Sequence, residues 1–270
     1  MLTRAQGLVF GTAIIAQITI AGPALAQTAA TMGPAIEASH LVAAYPDHLA
    51  SIEGNALVWK DGTRMPIDDK RGAKPFEIML AAADIKDMFL IPYSPGAMSA
   101  PPAVDVDPGR ARNAAFFDKM YGKCQSGAVS RNLVDVVWLP KKWGRKLRVT
   151  RINGVAEKLA AVSKELDELP AKFDVFLFPS AGTYNCRPIA GTTRTSAHGH
   201  GIAIDLSTQQ TDYWLWTTKG KLGAAIPYRN KIPMEIVSIF EKHGFIWGGK
   251  WYHYDTMHFE YRPELLAGAR

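Results

Sequence analysis

The chain has 270 residues, 47 % hydrophobic and 21 % charged, with a formal net charge of +6. That length holds one large domain or two small ones, and the composition excludes collagen, a coiled coil and wholesale disorder. The mild positive charge suits an anionic target such as a cell wall or a membrane surface, and no dense Lys/Arg stripe with interleaved aromatics points to nucleic acid.

Arg4 is the only charge before a mostly apolar run from Leu8 to Ala21, and Ala24-Leu25-Ala26 supplies a small-x-small cleavage pattern. Residues 1–26 therefore read as a secretory signal peptide cut before Gln27. The run falls short of a ~20-residue span and Gly22-Pro23 breaks it, so no stable membrane span is expected after cleavage. The mature protein is expected to be exported, periplasmic or extracellular. It would keep 30 basic and 25 acidic side chains, a net charge of +5.

Residues 27–39 read as a loose leader. "GNALVWKDGTRMPID" (54–68) predicts a hairpin turning at Asp61-Gly62. The stretch 92–109 holds five prolines and predicts a long loop, closing an N-terminal extension (27–109) ahead of a main domain (110–270). "ARNAAFFDKMYG" predicts a helix ending at Gly122, and "NLVDVVWLP" (132–140) a strand stopped by Pro140. "KKWGRKLRVTR" (141–151) reads as a solvated turn and strand. Over 153–169, Val155, Leu159, Val162 and Leu166 recur at helical spacing. "FDVFLF" (173–178) and "GIAIDL" (201–206) predict buried strands. "IPMEIVSIFEKHG" (232–244) predicts a helix opened by Pro233 and closed by Gly244, with His243 in its last turn. "FIW" (245–247) and "MHFEY" (257–261) predict short strands. No regular βαβ rhythm appears, so the expected fold class is α+β.

Two clusters carry candidate chemistry. In "SAHGHGIAIDL" (196–206), His198 and Asp205 flank a turn at Gly201, and Asp205 sits in an apolar frame where an unpaired carboxylate would be costly. In "WYHYDTMHFEYRPEL" (251–265), His253, Asp255, His258 and Glu260 alternate with apolar and aromatic residues. In a strand, His258 and Glu260 share one face, predicted to point into a cleft, while Met257, Phe259 and Tyr261 share the core face. His198, Asp205 and His258 form a three-ligand zinc set with one open position, expected to hold one Zn2+ per chain. Zinc lowers the pKa of bound water towards ~7, giving a hydroxide for attack, and a nearby carboxylate can pass the proton to a leaving amine. Asp255 or Glu260 could do this. Arg187 is the first choice and Arg194 the second for binding a substrate carboxylate or a developing oxyanion. His200 reads as lining or supporting the site, and His253 as a supporting or substrate-facing residue. His40 and His48 read as surface residues. Cys124 and Cys186 suit one disulfide in an oxidising compartment and fit no cysteine-based zinc site.

"SAHGHGIAID" follows the pattern Ser-x-His-x-x-Gly-x-Ala-x-Asp, and "DTMH" the later Asp/Glu-x-x-His. Together they resemble the zinc D-alanyl-D-alanine carboxypeptidases and dipeptidases, whose superfamily also holds L-alanyl-D-glutamate endolysins and the hedgehog signalling domain. The likeness is strong over about 180–262. It implies a small antiparallel sheet with helices on one side, and it makes 110–270 a zinc peptidase domain. It implies that His198, Asp205 and His258 bind zinc, that Asp255 is the general base, and that Arg187 binds substrate. Glu260 then joins Ser196, His200 and His253 as a supporting or substrate-binding residue. The expected substrates are peptidoglycan stem peptides. Two other readings share these residues: a non-haem Fe(II) oxygenase and a non-catalytic, zinc-stabilised wall-binding module. The acid at 255 argues against mere binding. The D,D-, L,D- or endopeptidase choice and the oligomeric state are not encoded in these motifs.

Overall fold

A computed structural model of the chain describes residues 34–221, 223 and 225–267. The signal-peptide expectation lies outside these residues. The chain divides after Thr31, and everything described lies in the second unit, Met32–Arg270.

Helix α1 (Pro34–Ala44) begins inside the segment read as a loose leader, which corrects that reading from residue 34 onward. Ala38, Leu41 and Tyr45 recur on one face and are all buried, so the segment is ordered by packing rather than by propensity. Strands β1 (Leu49–Glu53), β2 (Ala56–Trp59) and β3 (Arg64–Pro66) form an antiparallel meander. The hairpin turns at Asp61-Gly62 as expected: Gly62 has φ +82°, and its N–H donates to Trp59 O at 2.9 Å. Helix α2 (Phe76–Ala81) follows. The proline-rich stretch then runs without helix or strand to α3 (Ala114–Tyr121), which is capped by Asn113 Oδ1 accepting from Phe116 N.

β4 (Leu133–Trp138) and β5 (Arg145–Thr150) pair antiparallel, from Leu133↔Thr150 to Trp138↔Arg145. Helix α4 (Val155–Asp167) buries Val155, Leu159, Val162 and Leu166, the stripe its spacing predicts. The expected strand at 173–178 is instead a turn entering the short helix α5 (Asp174–Leu177). Its two buried residues, Phe173 and Leu177, stand four apart. In an apolar run this short, helical and extended periods look alike.

The last sheet carries the site. It consists of β6 (Ala203–Asp205), β7 (Phe245–Trp247) and β8 (His258–Tyr261), with β8 in the middle and both pairings antiparallel. Between β6 and β7 lie the short α6 (Trp214–Thr217) and α7 (Met234–Lys242). Phe240 of α7 stacks on Phe259 of β8, ring centres 3.9 Å apart. The fold is α+β, as expected. Among the described residues no helix is long and apolar enough to cross a membrane.

One hydrophobic cluster takes in Leu41 and Tyr45 of the N-terminal segment, Trp138 of the hairpin and Phe259 of the last sheet. The proline-rich loop is pinned to the C-terminal part. Trp251 Nε1 donates to Pro108 O at 2.7 Å, and Lys250 Nζ to Ser94 O at 2.6 Å. Gly109 closes this loop at φ +84°, and a Cβ there would stand 2.4 Å from Ile246 Cδ1 and 2.9 Å from Leu265 Cδ1. Gly109→Ala is expected to cost about 2–4 kcal/mol, combining left-handed strain with overpacking. A urea titration reads this as a fall in midpoint at unchanged slope.

Candidate metal centre

The first ligand candidate sits on a single turn of 3-10 helix, Ala197–His200. Ser196 Oγ caps the turn by accepting from His198 N at 3.3 Å. Gly201 ends it at φ +70°, and a Cβ there would stand 2.9 Å from Leu133 Cδ2 and 3.1 Å from Thr150 N. Only glycine allows the close approach of this turn to the β4–β5 hairpin. β6 then carries Asp205 to a position directly across from His258 on β8. Opposed residues of an antiparallel pair point to the same face, so the pairing brings carboxylate and imidazole together.

His198, Asp205 and His258 converge. His198 Nε2 lies 3.2 Å from Asp205 Oδ1 and 3.2 Å from His258 Nδ1, and His258 Nδ1 lies 3.0 Å from the same Asp205 oxygen. The far ring nitrogens are engaged by acceptors: His198 Nδ1 by Thr183 O at 2.5 Å, and His258 Nε2 by Glu260 Oε2 at 3.3 Å. Thr183 O can only accept, so it takes the His198 Nδ1–H and leaves the Nε2 lone pair facing inward; a cation at the inner nitrogens would likewise leave His258 its Nε2–H for Glu260. Both histidines are buried, and Asp205 keeps 18 % of its side chain exposed. Burial works against the Asp205 anion, but His198 and His258 hold its carboxyl well below the usual range. Burial opposes the His258 cation, yet Asp205 and Glu260 push its pKa up to about 10. Two imidazoles and a carboxylate packed this closely would otherwise share protons. A divalent cation fits the same donor set.

Asp255 stands beside the cluster on the turn before β8. His258 N donates to its carbonyl at 3.2 Å, and its own N–H donates to Gly248 O at 3.0 Å. Its Oδ1 is buried without a hydrogen-bond partner among the described residues. Burial and the neighbouring Asp205 raise its pKa to about 6, against the pull of His258.

Glu260 differs from expectation. Although it shares a face with His258, it opens onto no cleft. It is fully buried, sealed by Arg112 at 2.6 Å and Arg262 at 3.1 Å. That removes the alternative in which Glu260 takes a proton from water. His200 packs against Phe117 and Tyr121, with Nε2 3.1 Å from Asp118 Oδ1, and lies outside the converging set. His253 pairs with Asp107 at 2.8 Å and stacks on Phe76, ring centres 5.6 Å apart. Arg187 is exposed. Its charge and that of Arg110 act on Tyr213, whose pKa is raised by burial and by Asp255. Arg194 is held down to about 10 by burial and by the like charges of Arg112 and Arg110.

Arg110, Arg112, Asp107 and Tyr213 are site neighbours that sequence reasoning missed. Arg110 pairs with Asp107 and lies over the Trp251 ring, 5.7 Å from its centre. The only signal was two arginines following the proline-rich loop. A second acidic group, Asp68, Asp69 and Asp84, also gathers its oxygens. There the acids are already paired with lysines: Lys74 Nζ lies 2.8 Å from Asp69 and 3.1 Å from Asp84, and Lys86 Nζ 3.0 Å from Asp68.

Fold and site thus define an α+β protein with a two-histidine, one-carboxylate centre and a buried acid beside it. Residues 190–261 match the family model described as D-alanyl-D-alanine carboxypeptidase. That segment contains all three converging residues and Asp255, and the match bears out the resemblance read from the motifs. No curated protein and no solved structure matches the chain.

Proposed function

We propose that the protein is an exported zinc peptidase that hydrolyses peptidoglycan stem peptides, with residues 1–26 as its signal peptide, 27–109 as an N-terminal extension and 110–270 as the peptidase domain. The observation that carries the reading is the convergence of His198, Asp205 and His258 with Asp255 alongside. His198 would hold zinc through Nε2, His258 through Nδ1 and Asp205 through Oδ1. When bound, zinc supplies Lewis acidity and makes water a competent nucleophile near neutral pH.

The chain's own groups then do three things. Thr183 O and Glu260 fix the tautomers of the two histidines. Asp255 takes a proton from the attacking water at its free Oδ1 and delivers it to the amine as the amide C–N bond breaks. Arg187 supplies a cationic donor for a substrate carboxylate or the oxyanion. The mild positive charge of the chain suits an anionic wall.

The test is to incubate the purified protein with defined muropeptides and weigh the products. New termini at one amide, with one zinc per chain by elemental analysis, are expected. The masses also report whether the cut is D,D-, L,D- or endopeptidic. Cosedimentation with sacculi without fragment release, or iron in place of zinc, would refute the reading.

A further inference from the structure

A chain of buried polar side chains runs from the metal centre to Tyr45, just after the first helix. His258 Nε2 faces Glu260 Oε2 at 3.3 Å, and the same oxygen accepts from Arg112 Nη1 at 2.6 Å. Glu260 Oε1 accepts from Arg262 Nη1 at 3.1 Å. Arg262 Nε donates to Glu264 Oε1 at 2.5 Å, and Glu264 Oε2 accepts from Tyr45 OH at 2.6 Å. Glu260, Arg262, Glu264 and Tyr45 are all fully buried. Two cations face two anions, so the set is neutral as a whole and unbalanced if any one member is lost.

We propose that Arg112 is a positioning residue for the metal centre: it pins Glu260 Oε2 under His258, which keeps the N–H on Nε2 and turns Nδ1 toward the cation. The proposal rests on the reading of His198, Asp205 and His258 as metal ligands. Arg262 serves the other Glu260 oxygen, Oε1, and is anchored elsewhere: its Nε donates to Glu264, and its Nη1 also donates to Gly109 O at 2.7 Å. With Arg112 gone, Glu260 would be drawn toward Arg262 alone and away from the imidazole. Arg112 is itself held in place by its neighbour. Asn113 caps α3 and donates from Nδ2 to Ala83 O at 3.0 Å.

The experiment is calorimetric zinc titration of the metal-stripped full chain, with thermal melts run on every variant. Arg112→Met is expected to bind zinc 10- to 100-fold more weakly, the usual effect of losing a group that supports a ligand. Arg112→Lys, which restores a charged donor, should recover most of that loss. If Arg112 acts through Glu260, the Arg112→Met/Glu260→Gln double variant should bind no more weakly than Glu260→Gln alone. The double variant leaves no unpaired charge at either position, so it keeps the test open if Arg112→Met fails to fold. Wild-type zinc affinity in either folded Arg112→Met form, or strictly additive losses, would overturn the proposal. A wild-type chain that binds no zinc would overturn the ligand assignment itself, and the proposal with it.

Discussion

Asp255→Asn is expected to lower kcat for muropeptide hydrolysis roughly 100- to 10,000-fold while zinc stays bound, the range seen when a positioned acid–base group is removed. The substitution is isosteric, and the backbone that places the residue is untouched. Asp255 N still donates to Gly248 O, and His258 N still donates to the carbonyl of residue 255. The approach of Gly248 is close enough that a Cβ there would sit 2.6 Å from Asp255 O, so the turn has little room to relax. What the change removes is the basicity of a carboxylate whose buried Oδ1 has no hydrogen-bond partner among the described residues. An amide there cannot take a proton from water. His198→Ala should fail differently, by losing the metal, because it deletes one of three converging donors. Elemental analysis alongside product mass separates the two outcomes. Wild-type turnover by Asp255→Asn with zinc retained would take Asp255 out of the mechanism.

The three converging residues were legible because local sequence encodes their placement. A turn-forming Gly201 follows His198, a short apolar strand carries Asp205, and alternation in "MHFEY" sets the face of His258. The structure adds the pairing of Asp205 with His258 and the approach of His198 to both, which no local pattern specifies. Helix α4 was legible for the same reason, since its stripe of four apolar residues has a single period. The misreadings have physical causes. The run at 173–178 is too short for its period to be distinguished. Glu260 shares the face of His258, but what covers that face is Arg112, which stands 148 residues away in sequence. Tyr45 meets Glu264 across 219 residues. Side chains that meet across such distances leave no spacing signature, so the supporting half of the site could not be read from motifs. Glu260 could be suspected as a helper, but its burial could not. Arg110 and Tyr213 were missed for the same reason, because their nearness to Asp255 comes from loops folding together.

Removing the Cys124–Cys186 bridge, by reduction or by the double Cys→Ser variant, should cost about 4 kcal/mol of stability. The structure joins the two sulfurs across 62 residues, and closing a loop of that length removes about this much free energy from the unfolded chain in the entropic account. At roughly 2–4 °C per kcal/mol for a protein of this size, the melting temperature should fall by about 8–16 °C. An exposed ion pair gives the contrast. Breaking Arg64–Glu53, where both side chains are about half exposed, should leave the melting temperature nearly unchanged, because solvent screens the pair. The bridge also bears on the centre. Gly199 lies between His198 and His200 in the turn, and a Cβ added there would stand 3.4 Å from Cys124 Sγ. The disulfide therefore packs directly behind the turn that presents His198. It also tethers the loop containing Thr183, whose carbonyl fixes the His198 tautomer. Reduced protein should accordingly bind zinc more weakly well below its melting temperature, measured by competition with a chelator with and without reductant. Equal melting temperatures and equal zinc affinities for the two forms would show that the bridge neither restrains the unfolded chain nor supports the turn.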